Sequence, residues 1–391
     1  MQKIISTEKI PIKLWLDEPE ESAMEQARNL ANLPFAVSHI CLMPDAHAGY
    51  GMPIGGVLAT DNVIIPNAVG VDIGCGMCAV KTNVLAETLE RKQLTTIMSG
   101  IRKLIPLGLD RHKQRQDESL MPQNFDIDRM LIVKRQYLAA LKQIGTLGGG
   151  NHFIEMQRSH DGFLWLMIHS GSRNFGLQVA EYYNNAAKKL NAQYFSSIDP
   201  KAGLAFLPFA SDEAHAYYKE MQYCTEFAFV SRHLMMERIK EVVSSTLSGV
   251  EYEPLINIAH NYAAWEEHFG QKVIVHRKGA TSAKAGEIGI IPGSQGTKSY
   301  IVEGLGNPDS FTSCSHGAGR VMSRKDAANN LNLQEEKDKL ESQGIIHSIR
   351  HKNDLEEASS AYKDIAQVMA FQSDLVKILV ELSPLAVIKG T

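Results

Sequence analysis

The sequence is poor in several features that would assign a protein to a class at once. Its 391 residues include only five cysteines, an odd number at irregular spacing, which excludes a disulfide framework and favours reduced thiols. No apolar run approaches the roughly 18 to 20 residues that span a bilayer. The first residues also lack the apolar core and cleavage site of a secretory signal. These absences predict a cytoplasmic protein without a membrane partner.

An excess of basic residues is missing too. The chain has 40 Lys and Arg residues against 44 Asp and Glu residues, so a nucleic-acid partner would have to bind in a local basic groove. The hydrophobic fraction of 44% and the charged fraction of 21% are those of a packed globular protein, which excludes a disordered chain.

The chain shows no internal repeat and no low-complexity linker, although it is more than twice the common domain length of about 150 residues. Its patterns predict strands at 37–43, 54–65, 77–81, 164–169 and 272–275. Predicted helices are 17–32, 212–248 with Ser211 as N-cap, 324–331 with the capping box of Ser323 and Asp326, and 361–382 ended by Pro384. The segment 110–128 is predicted to be a surface loop. Glycine, histidine and asparagine clusters cross every boundary that we could draw, so we expect one mixed α+β domain over 1–391.

Metal-ligating residue types recur where a predicted strand gives way to a polar or glycine-rich turn. The set consists of a carboxylate, a thiolate and three imidazoles: Asp72, Cys75, His152, His169 and His260. Five ligands are too many for one tetrahedral ion, and a thiolate can bridge, so a dinuclear Mn, Zn or Fe centre is plausible. Taken singly, each is equally compatible with a packed cysteine, a core histidine or a glycine-rich loop. Cys75 and Cys78 form a C-x-x-C pair, but no second pair completes a zinc pattern.

A second group of residues is typical of nucleotide chemistry. Pro292 to Ser299 forms a turn rich in glycine and hydroxyl groups, without the spacing of a P-loop. His316, followed by Gly-Ala-Gly-Arg, is a nucleophile toward phosphorus, a sixth metal ligand or an ordinary loop histidine, and the residues alone leave all three open. Basic side chains near these motifs either line a phosphate groove or form ordinary solvated surface: Arg173, Arg277, Lys278, Arg320, Arg324 and Lys325.

Taken together, the motifs resemble the RtcB family of RNA-splicing ligases. The resemblance rests, in chain order, on PDAHAGYGMPIGG, GVDIGCGM, LGGGNHFIE, HSGSRNFG, AHNYA, RKGATSAKAGEIGIIPGSQGTKSY, SCSHGAGRVMSR, AYKDI and the C-terminal KG. These motifs cover nearly the whole chain.

The resemblance implies a GTP-dependent ligase that uses two Mn(II) ions. Such enzymes join RNA 3'-phosphate or 2',3'-cyclic phosphate ends to 5'-hydroxyl ends, in tRNA splicing or RNA repair. It also implies a single domain with central β-sheets flanked by helices and a metal site at the base of a cleft.

The resemblance also assigns roles by position. Asp72, Cys75, His152, His169 and His260 match the metal ligands, with Cys75 bridging, and His316 matches the histidine that accepts GMP. The implied GTP contacts are Asn151, Phe153, Glu155, Asn261, Pro292, Gly293, Ser294, Gln295, Ser299, Gly317, Ala318, Gly319, Tyr362 and Lys389. Arg173, Arg320 and Arg324 would face RNA phosphates.

Some positions depart from the usual family pattern. These are Ala46, Gly149 and Gln295, and Asn174-Phe175 after the HSGSR motif. None removes an implied ligand or the implied nucleophile. Two other functions remain as alternatives: a metal-dependent phosphodiesterase or phosphatase that acts on RNA ends without sealing them, and a non-catalytic RNA-end-binding protein. The resemblance leaves open the physiological RNA, the need for a helper protein, the metal used in the cell and the oligomeric state.

Overall fold

The computed structural model describes residues 1–194 and 196–390. Its helices are α1 Glu21–Ala31, α2 Pro66–Val69, α3 Arg91–Leu104, α4 Leu131–Ala140, α5 Asn174–Gln193, α6 Asp212–Thr246, α7 Arg324–Asn330, α8 Leu333–Ser342 and α9 Ile365–Phe371. Its strands are β1 Lys3–Ile5, β2 Ile12–Leu14, β3 Ala36–Tyr50, β4 Met52–Thr60, β5 Val63–Ile64, β6 Gly76–Leu85, β7 Phe153–Ser159, β8 Phe163–Ser170, β9 Leu207–Pro208, β10 Ile256–Ala259, β11 Asn261–His268, β12 Gln271–Lys278, β13 Ala280–Ser282, β14 Ile288–Ile291, β15 Ser299–Gly304, β16 Ser313–Ser315 and β17 Val376–Lys389. The predicted mixed α+β fold class is confirmed. The predicted domain 1–391 includes Phe195 and Thr391, which lie outside the described residues.

Two large sheets form the centre of the molecule. One has the order β1-β2-β3-β4-β12-β11 and the other the order β10-β6-β8-β7-β17-β15-β14. Apolar residues of both sheets, among them Val57 and Val275 from the first and Ile291 and Val302 from the second, belong to one buried cluster. The core between the sheets therefore holds them together.

The second sheet shows the alternation expected of a strand layer buried on both faces. Cys78, Val80 and Ile168 point to a core shared with α3 and α6, while Met77 and Met167 belong to a cluster on the opposite face. Helix α6 covers the first face, and Ser211 caps it by accepting the backbone N–H of Ala214 at 3.3 Å, as predicted. Ser323 caps α7 in the same way, which confirms that helix as well.

Antiparallel pairing brings one end of five neighbouring strands to the same edge of this sheet. β10, β8 and β17 end there, whereas β6 and β7 begin there. The residues that flank these strand ends must therefore lie close together, although they are far apart in the sequence. This edge carries the candidate site.

The predicted C-terminal helix 361–382 is wrong. Only α9 is helical there, and the chain then runs as β17 between β7 and β15, with Pro384 at a register shift. Val376–Lys389 is rich in β-branched residues, which favour the pleated conformation, and its final apolar run is buried between the neighbouring strands. Helical periodicity was the wrong interpretation of this segment, and the strand delivers Lys389 to the sheet edge.

The segment 110–128 forms a loop with short 3-10 turns, as predicted. The strand predicted at 37–43 is longer than expected, because β3 continues to Tyr50 with register irregularities around His47. Among the described residues we find no helix with the length and apolar character needed to cross a membrane.

Candidate active site

A buried cluster of metal-ligating atoms lies at the shared strand edge. Cys75 comes directly before β6, His169 lies at the end of β8, and His260 follows β10. The Cys75 Sγ lies 3.3 Å from the Nε2 of His169 and 3.5 Å from the Nε2 of His152. The Nε2 atoms of His169 and His260 are 3.4 Å apart, and Asp72 Oδ2 lies 3.1 Å from His152 Nε2. All five predicted metal ligands are therefore brought together.

The cluster divides into two groups that share one atom. One group is Cys75, His169 and His260, and the other is Asp72, Cys75 and His152, with the ligand atoms in each within 4.8 Å of one another. Cys75 is the member common to both groups. This arrangement matches the predicted bridging position of the thiolate.

Close backbone approach makes the cluster possible. Gly148 has φ +94°, and a Cβ there would collide with the Arg173 guanidinium and lie 2.5 Å from His152 Nδ1. A Cβ at Gly171 would collide with the Asp72 carboxylate. The glycines beside the ligands therefore leave room for the ligating side chains.

The donor set fits a pair of cations. The Nδ1–H of His169 donates to the backbone carbonyl of Asn151 at 3.2 Å, so its Nε2 presents a lone pair to Cys75 and His260. Burial, together with the charge of neighbouring histidines, holds the pKa of His169 and of His260 well below the usual value. Burial and the charge of Asp72 raise the pKa of the Cys75 thiol. Neutral imidazoles and a thiol that must lose its proton are what a site for Mn, Zn or Fe requires.

His316 stands beside this cluster on the segment after β16. Its ring lies 4.8 Å from the His260 ring, centroid to centroid. Its Nδ1 lies 2.6 Å from Oδ2 of Asp45, a fully buried residue of β3. The same oxygen accepts the backbone N–H of His316 at 3.1 Å and of Gly317 at 3.2 Å.

This pairing decides which nitrogen of His316 is available. A carboxylate can only accept, so Nδ1 carries the proton in the neutral imidazole and the lone pair is on Nε2. Burial alone would raise the pKa of Asp45, but the charge and hydrogen bond of His316 hold it below the usual value. Asp45 therefore remains an anion that orients the imidazole. Sequence reasoning quoted Asp45 within a motif and gave it no role, since its partner lies 271 positions away.

A cavity of about 370 Å³ adjoins the cluster, and His169 and His316 contribute to its wall. Most residues predicted to contact GTP line it as well: Asn151, Phe153, Glu155, Pro292, Gly293, Ser294, Gln295, Gly317, Ala318, Gly319, Tyr362 and Lys389. Glu20, His47 and Glu357 also line it, and sequence reasoning did not single them out.

Two predicted GTP contacts do not line the cavity. Ser299 lies behind it, where its Oγ accepts from Gln157 Nε2 at 3.1 Å and from the Gly293 N–H at 3.2 Å. Asn261 connects the segment of Asp72 to the segment of Gly279. Its amide nitrogen donates to the Asp72 backbone carbonyl at 3.1 Å, and its amide oxygen accepts the Gly279 N–H at 2.8 Å. Both residues support the loops that form the site.

Glu155 is a buried carboxyl group in the cavity wall. Burial raises its pKa to about 7, against the opposing charge of Lys389 and a 2.6 Å hydrogen bond from Gln157. Lys389 is also buried, with its Nζ 5.4 Å from the centroid of the Phe153 ring. The cavity therefore offers an acid, a cation and an aromatic face.

Glu357 is a buried carboxylate that the basic side chains on one side of the cavity contact. It accepts from Arg324 Nε at 2.9 Å and from Arg320 Nη1 at 3.4 Å, and Tyr362 donates its hydroxyl proton to it. Lys389 Nζ lies 3.9 Å away. Although burial alone would raise its pKa, the charges of Lys389 and Arg324 hold the pKa of Glu357 below the usual value. Acidic side chains are common, so nothing in the local sequence distinguished this one.

The predicted basic groove is only partly present. Arg173, at φ +61°, donates to Thr146 Oγ1 at 3.1 Å and to the Gly108 carbonyl at 3.0 Å beside the cluster. Arg277 and Lys278 were wrong as phosphate contacts, because both are buried. Arg277 pairs with Glu266 at 2.5 Å, and Lys278 Nζ donates to the backbone carbonyls of residues 50 and 67.

The geometry is typical of a metal-dependent phosphoryl-transfer enzyme: a histidine bonded to a buried carboxylate, a buried cluster of metal-ligating atoms and an adjoining cavity. Comparison with known proteins gives the family. The model of the family described as "tRNA-splicing ligase RtcB" matches residues 26–139 and 123–390. The chain therefore belongs to the RtcB family.

Curated relatives match over nearly their whole length. The chain is 38% identical to the RNA-splicing ligase RtcB of Escherichia coli (strain K12), over 99% of both chains. It is 30% identical to the tRNA-splicing ligase RtcB of Thermococcus kodakarensis, over 98% of this chain and 95% of that protein. It is 33% identical to the RNA-splicing ligase RtcB homolog 1 of Entamoeba dispar, over 94% and 82%. The resemblance described from the sequence motifs is confirmed.

Proposed function

We propose that this protein is an RNA ligase that joins RNA 3'-phosphate or 2',3'-cyclic phosphate ends to 5'-hydroxyl ends, with GTP as the source of activation. One observation carries the proposal: His316 lines a nucleotide-sized cavity, while Asp45 binds its Nδ1 at 2.6 Å and leaves Nε2 as the nitrogen available for attack. A hydrolase that acts on RNA ends has no need of a guanylylated histidine. The names of the relatives support the same reaction.

The first step transfers GMP to the protein. His316 Nε2 attacks the α-phosphorus of GTP, so that a P–N bond forms, the bond to the bridging oxygen breaks and pyrophosphate leaves. The imidazole becomes positively charged in this step, and the buried Asp45 carboxylate stabilises it. Asp45 thus orients the nucleophile and offsets its developing charge.

The next two steps join the RNA ends. An oxygen of the RNA 3'-phosphate attacks the histidine-bound phosphorus, the P–N bond breaks, and GMP is now joined to the RNA end. The 5'-hydroxyl then attacks the 3'-phosphorus, a phosphodiester forms, and GMP leaves. A cyclic phosphate must first be opened by water to the 3'-phosphate.

The cluster of Asp72, Cys75, His152, His169 and His260 would hold two Mn(II) ions, with Cys75 shared between them. When bound, such ions neutralise phosphate charge and lower the barrier to phosphoryl transfer. The protein's own contribution is to lower the pKa of His169 and His260 by burial and to hold the ligand atoms together at one sheet edge.

The cavity wall suits a guanine base. The Glu155 carboxylate accepts from the N–H groups of the base, and Lys389 donates to its carbonyl oxygen, with Phe153 as an apolar contact. Glu357 holds Tyr362, Arg320 and Arg324 around the same space. We assign Arg173, Arg320 and Arg324 to RNA phosphates, each already oriented by hydrogen bonds to the protein.

We place the reaction in the cytoplasm. All five cysteines are free, and Cys75 has to remain reduced to serve as a ligand. The substrate class is cleaved RNA that carries a 3'-phosphate or cyclic phosphate, as formed in tRNA splicing or by RNA damage.

Incubation with α-labelled GTP and Mn(II), followed by a denaturing gel, tests the proposal. We expect acid-labile label on the wild type and none on His316→Ala. His160→Ala changes an exposed histidine outside the cavity and should be labelled like the wild type. A fully metallated wild type without label would overturn the ligase and favour the metal-dependent phosphodiesterase or phosphatase. That alternative is then tested directly by release of phosphate, or opening of the cyclic phosphate, at RNA ends.

A further inference from the structure

Arg232 lies in the middle of α6, against the edge of the sheet that carries the metal-ligating cluster. It is fully buried and is among the largest side chains without solvent exposure. It does not belong to the cluster, it does not line the cavity, and the steps proposed above do not use it.

The Arg232 guanidinium donates hydrogen bonds to three chain segments, and each segment carries one ligand of the group Cys75, His169 and His260. Nη1 donates to the carbonyl of Gly74, which precedes Cys75, and to the carbonyl of Ser170, which follows His169, each at 2.9 Å. Nε donates at 2.8 Å to Oδ1 of Asn257, which lies on β10 three residues before His260. Cys75, His169 and His260 are the members of that group.

All the acceptors that Arg232 binds are neutral. A buried cation that only filled space would be costly, and apolar side chains often replace such groups without loss of stability. Burial lowers the pKa of this guanidinium, and the charge of the Asp72 carboxylate, a member of the cluster, opposes that shift. Asn257 is itself held in place, because its amide donates to the Phe229 carbonyl of α6 at 3.0 Å.

We propose that Arg232 is a positioning residue for the metal centre, which fixes the spacing of Cys75, His169 and His260 by binding their three chain segments at once. The inference rests on the proposed function, in which this cluster holds metal. A planar guanidinium with donors in fixed directions can serve three acceptors on different segments, whereas the ammonium of lysine offers no such fork.

The test compares Mn(II) affinity, measured by competition with a chelator, in the wild type, Arg232→Lys and Arg232→Met. We expect both variants to bind about 10- to 100-fold more weakly, the range found for residues that support metal ligands. Saturating Mn(II) should largely restore His316 labelling, which separates weaker metal binding from a damaged nucleophile. The absorption spectrum with Co(II) in place of Mn(II) should change in the variants, because it depends on ligand geometry.

Arg238→Met is the matched control. Arg238 is a partly buried arginine on the same helix, and it donates to the Gly145 carbonyl at 3.1 Å, to Gln116 and to His112, none on a ligand segment. Its variant should bind Mn(II) like the wild type.

Asn257→Leu keeps the test decisive if the Arg232 variants do not fold. It cuts only the connection to the segment of His260, so we expect weaker binding of one of the two metal equivalents. Folded Arg232→Lys or Asn257→Leu protein with wild-type affinity and an unchanged Co(II) spectrum would overturn the inference. A wild type that binds no metal would instead overturn the proposed function.

Discussion

Asp45 Oδ2 accepts three hydrogen bonds from residues 316–317: one from His316 Nδ1 and two from the backbone N–H groups of His316 and Gly317. One carboxylate oxygen therefore sets both the ring orientation and the backbone path of the proposed nucleophile. β3 and the segment after β16 meet at this point.

Asp45→Asn should slow the formation of GMP-labelled protein by at least about a hundredfold. The amide keeps the size of the side chain, but it lacks the charge that stabilises the imidazolium and can favour the wrong tautomer. Single-turnover labelling with α-labelled GTP measures the rate. Metal content should stay at the wild-type level, because Asp45 is outside the ligand cluster; an unchanged labelling rate would contradict the proposed role.

Cys75→Ser should impair both metal equivalents, whereas His260→Ala should impair mainly one. The difference follows from Cys75 being common to both ligand groups, while His260 belongs to one. Equilibrium dialysis with elemental analysis gives the stoichiometry. Cys78→Ser is the control, since Cys78 is an equally buried thiol in the core behind the sheet. If the two cysteine variants lose the same amount of metal, Cys75 is not a bridging thiolate.

Glu357→Gln should destabilise the protein and weaken GTP binding together. The buried carboxylate is the common partner of Arg320, Arg324, Tyr362 and Lys389, and removal of its charge leaves the buried Lys389 with Glu155 as its remaining acidic partner. We expect a loss of about 2 to 4 kcal/mol in unfolding free energy, near the range for a broken buried ion pair. Urea unfolding and the KM for GTP check the two effects. Glu356→Gln, the neighbouring acid, should change neither.

The stability of the nucleotide-free protein should depend on pH through Glu155. Its pKa is raised from 4.5 to about 7 by burial, so the folded state holds the proton more tightly than the unfolded state. The stabilisation from the protonated carboxyl is complete below the unfolded pKa and is lost as the pH rises through the folded pKa. Glu155→Gln should therefore become more stable than the wild type as the pH rises, by up to about 3 kcal/mol.

Urea unfolding at a series of pH values, from about 5 to about 8, measures that difference. Glu251→Gln, which changes an exposed acid, should show no such trend. A constant difference between Glu155→Gln and the wild type would mean that Glu155 is not the titrating group.

The ligand residues could be singled out in the sequence because they flank strands beside polar or glycine-rich turns. His169 and His260 stand where strands end, and Cys75 and His152 stand directly before β6 and β7. The partners Asp45 and Glu357 could not be predicted in this way, because their importance depends on contacts with residues distant in sequence. The burial of Arg277 and Arg232 could not be predicted from the sequence either. Basic side chains look alike in sequence, and only the structure tells a buried arginine from one that faces the cavity.

The central position of β17 affects how the sheet is built. β7 and β15 each expose an unpaired edge until β17 arrives between them, although β7 and β8 are synthesised much earlier. Chains fold from the N-terminus as they are made, and long-range strand pairing is slow. Completion of this sheet is therefore a late folding event, during which the two open edges are exposed to pairing with other chains. The nucleotide pocket cannot form before this event, because Lys389 is carried by the last strand to dock.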